Sequence, residues 1–165
     1  MNFLLTAAWG TEQQVPVKYT ALEAFPLTIE ELESTGYRNY VPAEIWEGLV
    51  NNYGKALQQA VNIVPQQQLR IIHSYLHRYE SNMQFDLVYY DAFSVQHQPE
   101  MWTDEIIAHT CKFLKPGGIF VTYAITGKLK RALKAVGFSI EKLPGAPGKR
   151  EMLRARKMEQ WKKEN

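Results

Sequence analysis

Asp91 ends an apolar run, Phe85-Asp86-Leu87-Val88-Tyr89-Tyr90, and opens a loop reading Asp91-Ala92-Phe93-Ser94 and then Pro99-Glu100-Met101-Trp102. A carboxylate at a strand end can orient an amine nucleophile and accept the proton lost when the amine takes up a methyl group. Taken alone, the same pattern reads equally well with Asp91 as a turn former and Trp102 as a core or lid residue. A second acid, Glu23, closes Val17-Lys18-Tyr19-Thr20-Ala21-Leu22. There a carboxylate can accept hydrogen bonds from both ribose hydroxyls of an adenosine cofactor, and Phe25 is near enough to cover a face of the adenine. Strand-end acids are also often plain solvated or capping residues. The histidines suggest no metal site: His73 ends an expected strand, His77 lies beyond it, His97 and His109 stand elsewhere, and no third ligand accompanies any pair.

Elements able to position these acids follow from periodicity. Residues 2–13 read as a helix, Val17 to Glu23 as a strand, and Pro26 opens a helix running toward Thr35. The stretch from Arg38 to Val64 holds one or two further helices. Leu69 to His73 and Phe85 to Tyr90 are strand candidates with a central look, the second nearly continuous in apolar character, as suits a strand covered on both faces. Thr103 can cap a helix with Ile107, Cys111 and Leu114 on one face, ended by Pro116-Gly117-Gly118. Ile119 to Ala124 is the next strand. A helix follows with Leu129, Ala132, Leu133 and Val136 inward, stopped by Gly137. Phe138 to Leu143 and Arg150 to Ala155 form a hairpin across Pro144-Gly145-Ala146-Pro147-Gly148. Parallel units ending in a hairpin indicate an α/β fold with a Rossmann sheet of the methyltransferase type.

The 165 residues, 45% of them apolar, suffice for a single domain. The lone Cys111 cannot make an internal disulfide, reads as a small buried hydrophobe, and suits a reducing compartment. No apolar run reaches the roughly 18 residues that span a bilayer, and Met1-Asn2-Phe3-Leu4-Leu5 lacks a basic leader, so a cytoplasmic protein is expected. Net charge is +2, split as −3 over residues 1–83 and +5 over 84–165. The basic half carries two sets: Lys128, Lys130, Arg131 and Lys134 on one helix, and Lys149, Arg150, Arg154, Arg156 and Lys157 near the end. Such sets mark either a polyanionic partner or solvated faces.

The loop segments resemble those of the tRNA 5-methylaminomethyl-2-thiouridine methyltransferase family, whose members stand alone (MnmD) or fused to a flavin-dependent oxidase (MnmC). The resemblance rests on Asp91-Ala92-Phe93-Ser94 with Pro99-Glu100-Met101-Trp102-Thr103, on Lys115-Pro116-Gly117-Gly118 leading to Thr122-Tyr123, on Ala135-Val136-Gly137-Phe138, and on Gly148-Lys149-Arg150-Glu151-Met152-Leu153. It covers most of residues 85–157 in the family's order. Asn2-Phe3-Leu4-Leu5-Thr6 is similar to the family's helix just after its glycine-rich loop, and Tyr19 to Glu23 to its second strand. On this alignment the first strand and Gly-Phe-Gly-Thr-Gly loop fall ahead of Asn2, so the chain is expected to begin one element late, leaving two strands without a neighbour. Val95 stands where the family usually has proline, and His73-Ser74-Tyr75 lacks the acid that often meets the adenine amino group.

The resemblance implies an S-adenosylmethionine-dependent methyltransferase domain over residues 1–157, with a basic tail at 158–165. Its substrate is the primary amine of 5-aminomethyl(-2-thio)uridine at the tRNA wobble position. Asp91 is the implied catalytic residue, with Asn2, Glu23, Phe25, Ser74, Asp91 and Ala92 at the cofactor. Phe93, Pro99, Glu100, Met101, Trp102 and Tyr123 line the substrate side, where Lys149 and Arg150 contact tRNA phosphates. No metal or membrane is implied, and an oxidase acting on the same modification is a functional link. The alternatives are a methyltransferase for another amine and a non-catalytic remnant with a basic RNA-binding surface.

Overall fold

Helix α1 (Asn2–Glu12) forms where Phe3, Leu4, Ala7 and Gly10 recur at helical spacing, and that face is the one it buries. It opens the computed structural model, which describes residues 1–145 and 151–159. The chain divides into two compact units, Met1–Arg78 and Tyr79–Asn165.

In the first unit, β1 (Val17–Glu23) pairs in parallel with β3 (Gln67–His73), which pairs antiparallel with β2 (Val61–Val64), giving the order β1-β3-β2. Two helices lie between β1 and β2, joined by a 3-10 turn at Tyr37–Tyr40. Helix α2 (Ile29–Ser34) starts three residues later than Pro26 suggested, because Thr28 and Glu31 close a reciprocal capping box there. Helix α3 (Ala43–Ala56) buries Ile45, Trp46, Leu49, Tyr53 and Ala56. Its Gly48 lies so close to β2 that an added Cβ would sit 2.3 Å from the Ile63 carbonyl oxygen. These side chains join Phe3, Leu4, Leu32, Leu69 and Ile71 in one apolar core. Strand β2 is a departure from the expected helices, and Gln66, at φ 65°, turns the chain from β2 into β3.

The second unit is a four-stranded sheet of order β4-β5-β7-β6, from β4 (Phe85–Tyr89), β5 (Leu114–Thr122), β6 (Phe138–Pro144) and β7 (Glu151–Lys157). Strands β4 and β5 are parallel, while β7 runs antiparallel to both neighbours. The expected hairpin is therefore present. Helix α4 (Asp104–Lys112) begins at Thr103, whose hydroxyl accepts the Ile106 N–H, and carries Asp104 and Glu105 at its positive end. Leu114, expected on that helix, instead opens β5: Phe113 ends the helix, and Lys115 to Gly118 are absorbed as an irregularity in the pairing with β4. Helix α5 (Gly127–Ala135) buries Leu129, Ala132 and Leu133, and Gly137 at φ 88° turns the chain into β6. Strand β4 departs from the central placement its composition suggested, since it ends the strand order and leaves Leu87 and Tyr89 each 39% exposed.

Candidate functional site

Parallel pairing carries β1 and β3 to the same end, where Glu23 lies opposite His73. The Ser74 N–H donates to the Glu23 carbonyl oxygen at 3.1 Å, and His73 Nε2 lies 3.1 Å from the Ala24 carbonyl oxygen, so the two strand ends are stitched together. Desolvation by its neighbours pushes the Glu23 carboxyl above the ordinary carboxylate value, and the terminal ammonium of Met1 pulls the other way. Phe25 is 78% exposed and meets Tyr75 edge-on at 6.0 Å. Tyr75 in turn stacks on His77 at 5.5 Å and carries the Arg78 guanidinium 5.6 Å from its centroid. The Ser74 hydroxyl donates to the Tyr75 carbonyl oxygen, which leaves its lone pairs able to accept an amino hydrogen. An accepting carboxylate beside exposed rings fits an adenosine, whose ribose hydroxyls need acceptors and whose base needs a flat apolar cover.

In the second unit, two buried donors brace the loop that follows β4. Tyr90 is 5% exposed, stacks on Phe120 at 5.2 Å, meets Trp102 edge-on, and donates its hydroxyl proton to the Met101 carbonyl oxygen. Trp102 is 6% exposed, and its Nε1–H donates to the Phe93 carbonyl oxygen at 2.7 Å. Each bond ties one end of the loop to the other. Within it, Gln98 Oε1 accepts the Phe93 N–H at 3.3 Å, and Ser94 Oγ lies 2.8 Å from His97 Nδ1. Burial pushes the Tyr90 hydroxyl pKa upward, so the proton it donates is retained at neutral pH. Asp91 and Phe93 face outward from this frame, both exposed.

Strand register sets Tyr123, 45% exposed, past the same end of β5 at which Asp91 follows β4. Pro99 to Trp102 form a 3-10 turn in which Pro99 and Glu100 are exposed, Met101 is half-buried and Trp102 is buried. Ala92 is half-buried, as is Asn2, whose carbonyl accepts the Thr6 hydroxyl at 2.8 Å. Glu23, Phe25 and Ser74 thus gather in the first unit, and Asp91, Phe93 and Tyr123 in the second. Lys149 and Arg150 lie outside the described residues, as do residues 160–165 of the tail. The sequence reading missed the bracing role of Tyr90, Gln98 and Trp102 and the Tyr75-His77-Arg78 group. A ring-rich, basic segment directly after a strand end is a signal that could have found the latter. Burial pushes the Cys111 thiol up to about 12 against the opposing charge of Lys157, which agrees with its reading as a buried hydrophobe. Among the described residues no group of three or more His, Cys, Asp or Glu could hold a metal ion, and no helix is long and apolar enough to cross a membrane.

Comparison with known proteins identifies the family and the fold. Residues 41–158 match the model of a family described as S-adenosyl-L-methionine-dependent methyltransferase. The tRNA 5-methylaminomethyl-2-thiouridine biosynthesis bifunctional protein MnmC of Hydrogenovibrio crunogenus is 28% identical over 160 residues, which is 92% of this chain and 24% of that protein. MnmC of Aromatoleum aromaticum is 38% identical over 71 residues, 43% of this chain and 11% of that protein. The chain therefore spans about a quarter or less of the length of these relatives. The crystal structure of MnmC2 from Aquifex aeolicus superposes with a TM-score of 0.63 at 18% identity, over 92% of this chain and 46% of that one, which establishes the shared fold. With the family model matched over residues 41–158, the chain belongs to the S-adenosyl-L-methionine-dependent methyltransferases, and MnmC proteins are among those it is similar to.

Proposed function

We propose that this domain methylates the primary amine of 5-aminomethyl(-2-thio)uridine at the wobble position of tRNA. The observation that carries the reading is the braced loop after β4, which presents Asp91 and Phe93 outward on a frame fixed by Tyr90 and Trp102. The names of the MnmC relatives support the same substrate. When bound, S-adenosylmethionine would supply the methyl as a sulfonium electrophile, with S-adenosylhomocysteine as the leaving group. Glu23 binds the ribose hydroxyls, Phe25 covers the adenine, and Ser74 accepts from its amino group, with Asn2 a further cofactor contact of the same unit. Asp91 orients the neutral amine so that its lone pair points at the methyl carbon, then takes up the proton released as the C–N bond forms. Phe93 and Tyr123 stack against the extruded uridine, and Pro99, Glu100, Met101 and Trp102 shape the wall behind it. Lys149 and Arg150 contact flanking phosphates. An oxidase that exposes the same amine is the expected functional partner.

Tritium transfer from methyl-labelled S-adenosylmethionine to tRNA bearing the unmethylated aminomethyl group tests the proposal. Label recovered in the wobble nucleoside is the expected result. Cofactor binding without transfer to tRNA points to another amine substrate, and absence of both points to a non-catalytic module.

A further inference from the structure

We propose that the outer face of α5 is a docking surface for the phosphodiester backbone of the RNA substrate, an inference that rests on the tRNA reading above. The helix reads Gly127-Lys128-Leu129-Lys130-Arg131-Ala132-Leu133-Lys134-Ala135, with no acid anywhere in it. Leu129, Ala132 and Leu133 face inward, so at about 100° per residue the cations share the remaining arc. Lys128, Arg131 and Lys134 are exposed and Lys130 is half-buried.

Three features separate this face from an ordinary solvated one. Like charges stand three and four positions apart, as Lys128 with Arg131, Arg131 with Lys134, and Lys130 with Lys134, all of which repel within the helix. Lys128 sits in the first turn with no acid beside it, at the end where a cation is unfavourable. Elsewhere in the same unit most of the described cations have protein partners, Lys112 and Arg156 excepted: Lys115 pairs with Asp86, Lys142 with Glu151 and Arg154 with Glu141, while Lys157 Nζ donates to the Cys111 and Leu114 carbonyl oxygens. None of the four α5 cations joins an ion pair among the described residues. A repelling, single-sign face is relieved by a polyanion. The axial span from Lys128 to Lys134, about 9 Å, suits two or three successive phosphates of one strand. Helix α5 also follows β5 directly, past the end where Tyr123 and Asp91 lie, so RNA on this face runs toward the proposed chemistry within one unit.

The test replaces Lys128, Lys130, Arg131 and Lys134 by Gln together in the full chain, with circular dichroism to confirm the fold. Should that variant misfold, the double variants Lys128→Gln/Lys134→Gln and Lys130→Gln/Arg131→Gln take its place. Anisotropy with undermodified tRNA across a potassium chloride series should show weaker binding, with a log–log salt slope shallower by about two. S-adenosylhomocysteine affinity should stay at the parental value. An unchanged slope and affinity overturns the surface. So does a loss confined to vesicles containing phosphatidylserine, since the face would then read a lipid headgroup. A parent that binds RNA through α5 but transfers no methyl to tRNA sinks the substrate reading and leaves the surface standing. A parent that binds no RNA sinks both.

Discussion

At the scale of single residues, Asp91 and Glu23 are assigned opposite kinds of work, and substitution separates them. Asp91→Ala removes the proposed proton acceptor, and losses of about a hundredfold or more in methyl transfer are typical when such a group is deleted. Asp91→Asn keeps a hydrogen-bond acceptor but cannot take the proton, so single-turnover rates of the two variants distinguish positioning from base chemistry. A folded Asp91 variant working at the parental rate removes Asp91 from the chemistry. Glu23 is proposed to act on binding. Its carboxyl is raised above the ordinary value by desolvation, so the folded state holds its proton more tightly than the unfolded chain and loses stability as pH rises through the window between the two. An ionised carboxylate is nonetheless the form able to accept from both ribose hydroxyls in the proposed contact. Glu23→Gln should therefore weaken S-adenosylhomocysteine while leaving the melting temperature at neutral pH equal or higher. In the parent, affinity should fall on acidification at a pH above that of an ordinary glutamate. Calorimetry across pH 4 to 7, with thermal melts alongside, measures both. A variant that binds normally, or that loses binding only by unfolding, refutes the ribose assignment.

At the scale of elements, the loop between β4 and α4 behaves as one braced unit because two buried donors each bond a carbonyl at its far end. Tyr90→Phe and Trp102→Phe keep an aromatic ring and delete one donor apiece, leaving a carbonyl without its partner at a typical cost of about 1–3 kcal/mol. Each should lower the rate of methyl transfer at saturating tRNA while cofactor affinity holds. Loss of stability with an unchanged rate would make the brace purely structural. Little of this was legible beforehand, because donor and acceptor stand nine and eleven residues apart and their meeting depends on the path of an irregular loop. Other boundaries were more legible: Glu23 follows from an apolar run with a clear stop and Thr103 announces α4 through its cap, while β5 ends at Thr122, two residues short of the Ala124 expected. Strand β2 stayed hidden because Val61-Asn62-Ile63-Val64 is too short to display alternation. The start of β5 was masked by Lys115-Pro116-Gly117-Gly118, breakers that the sheet accommodates as an irregular step in register.

At the scale of the whole molecule, β1 stands at one end of its sheet and β4 at one end of the other, each pairing in parallel on its bonded side. The composition of β4 suits cover on both faces, yet Leu87 and Tyr89 are exposed, and an apolar terminal strand is a template for further pairing. Charge on that edge should therefore act on association: Leu87→Lys with Tyr89→Lys should lower aggregation on concentration, with thermal melts showing that the fold holds. Light scattering on the parent and the variant decides the matter. Equal aggregation in a folded variant would show that the β4 edge recruits no further strand.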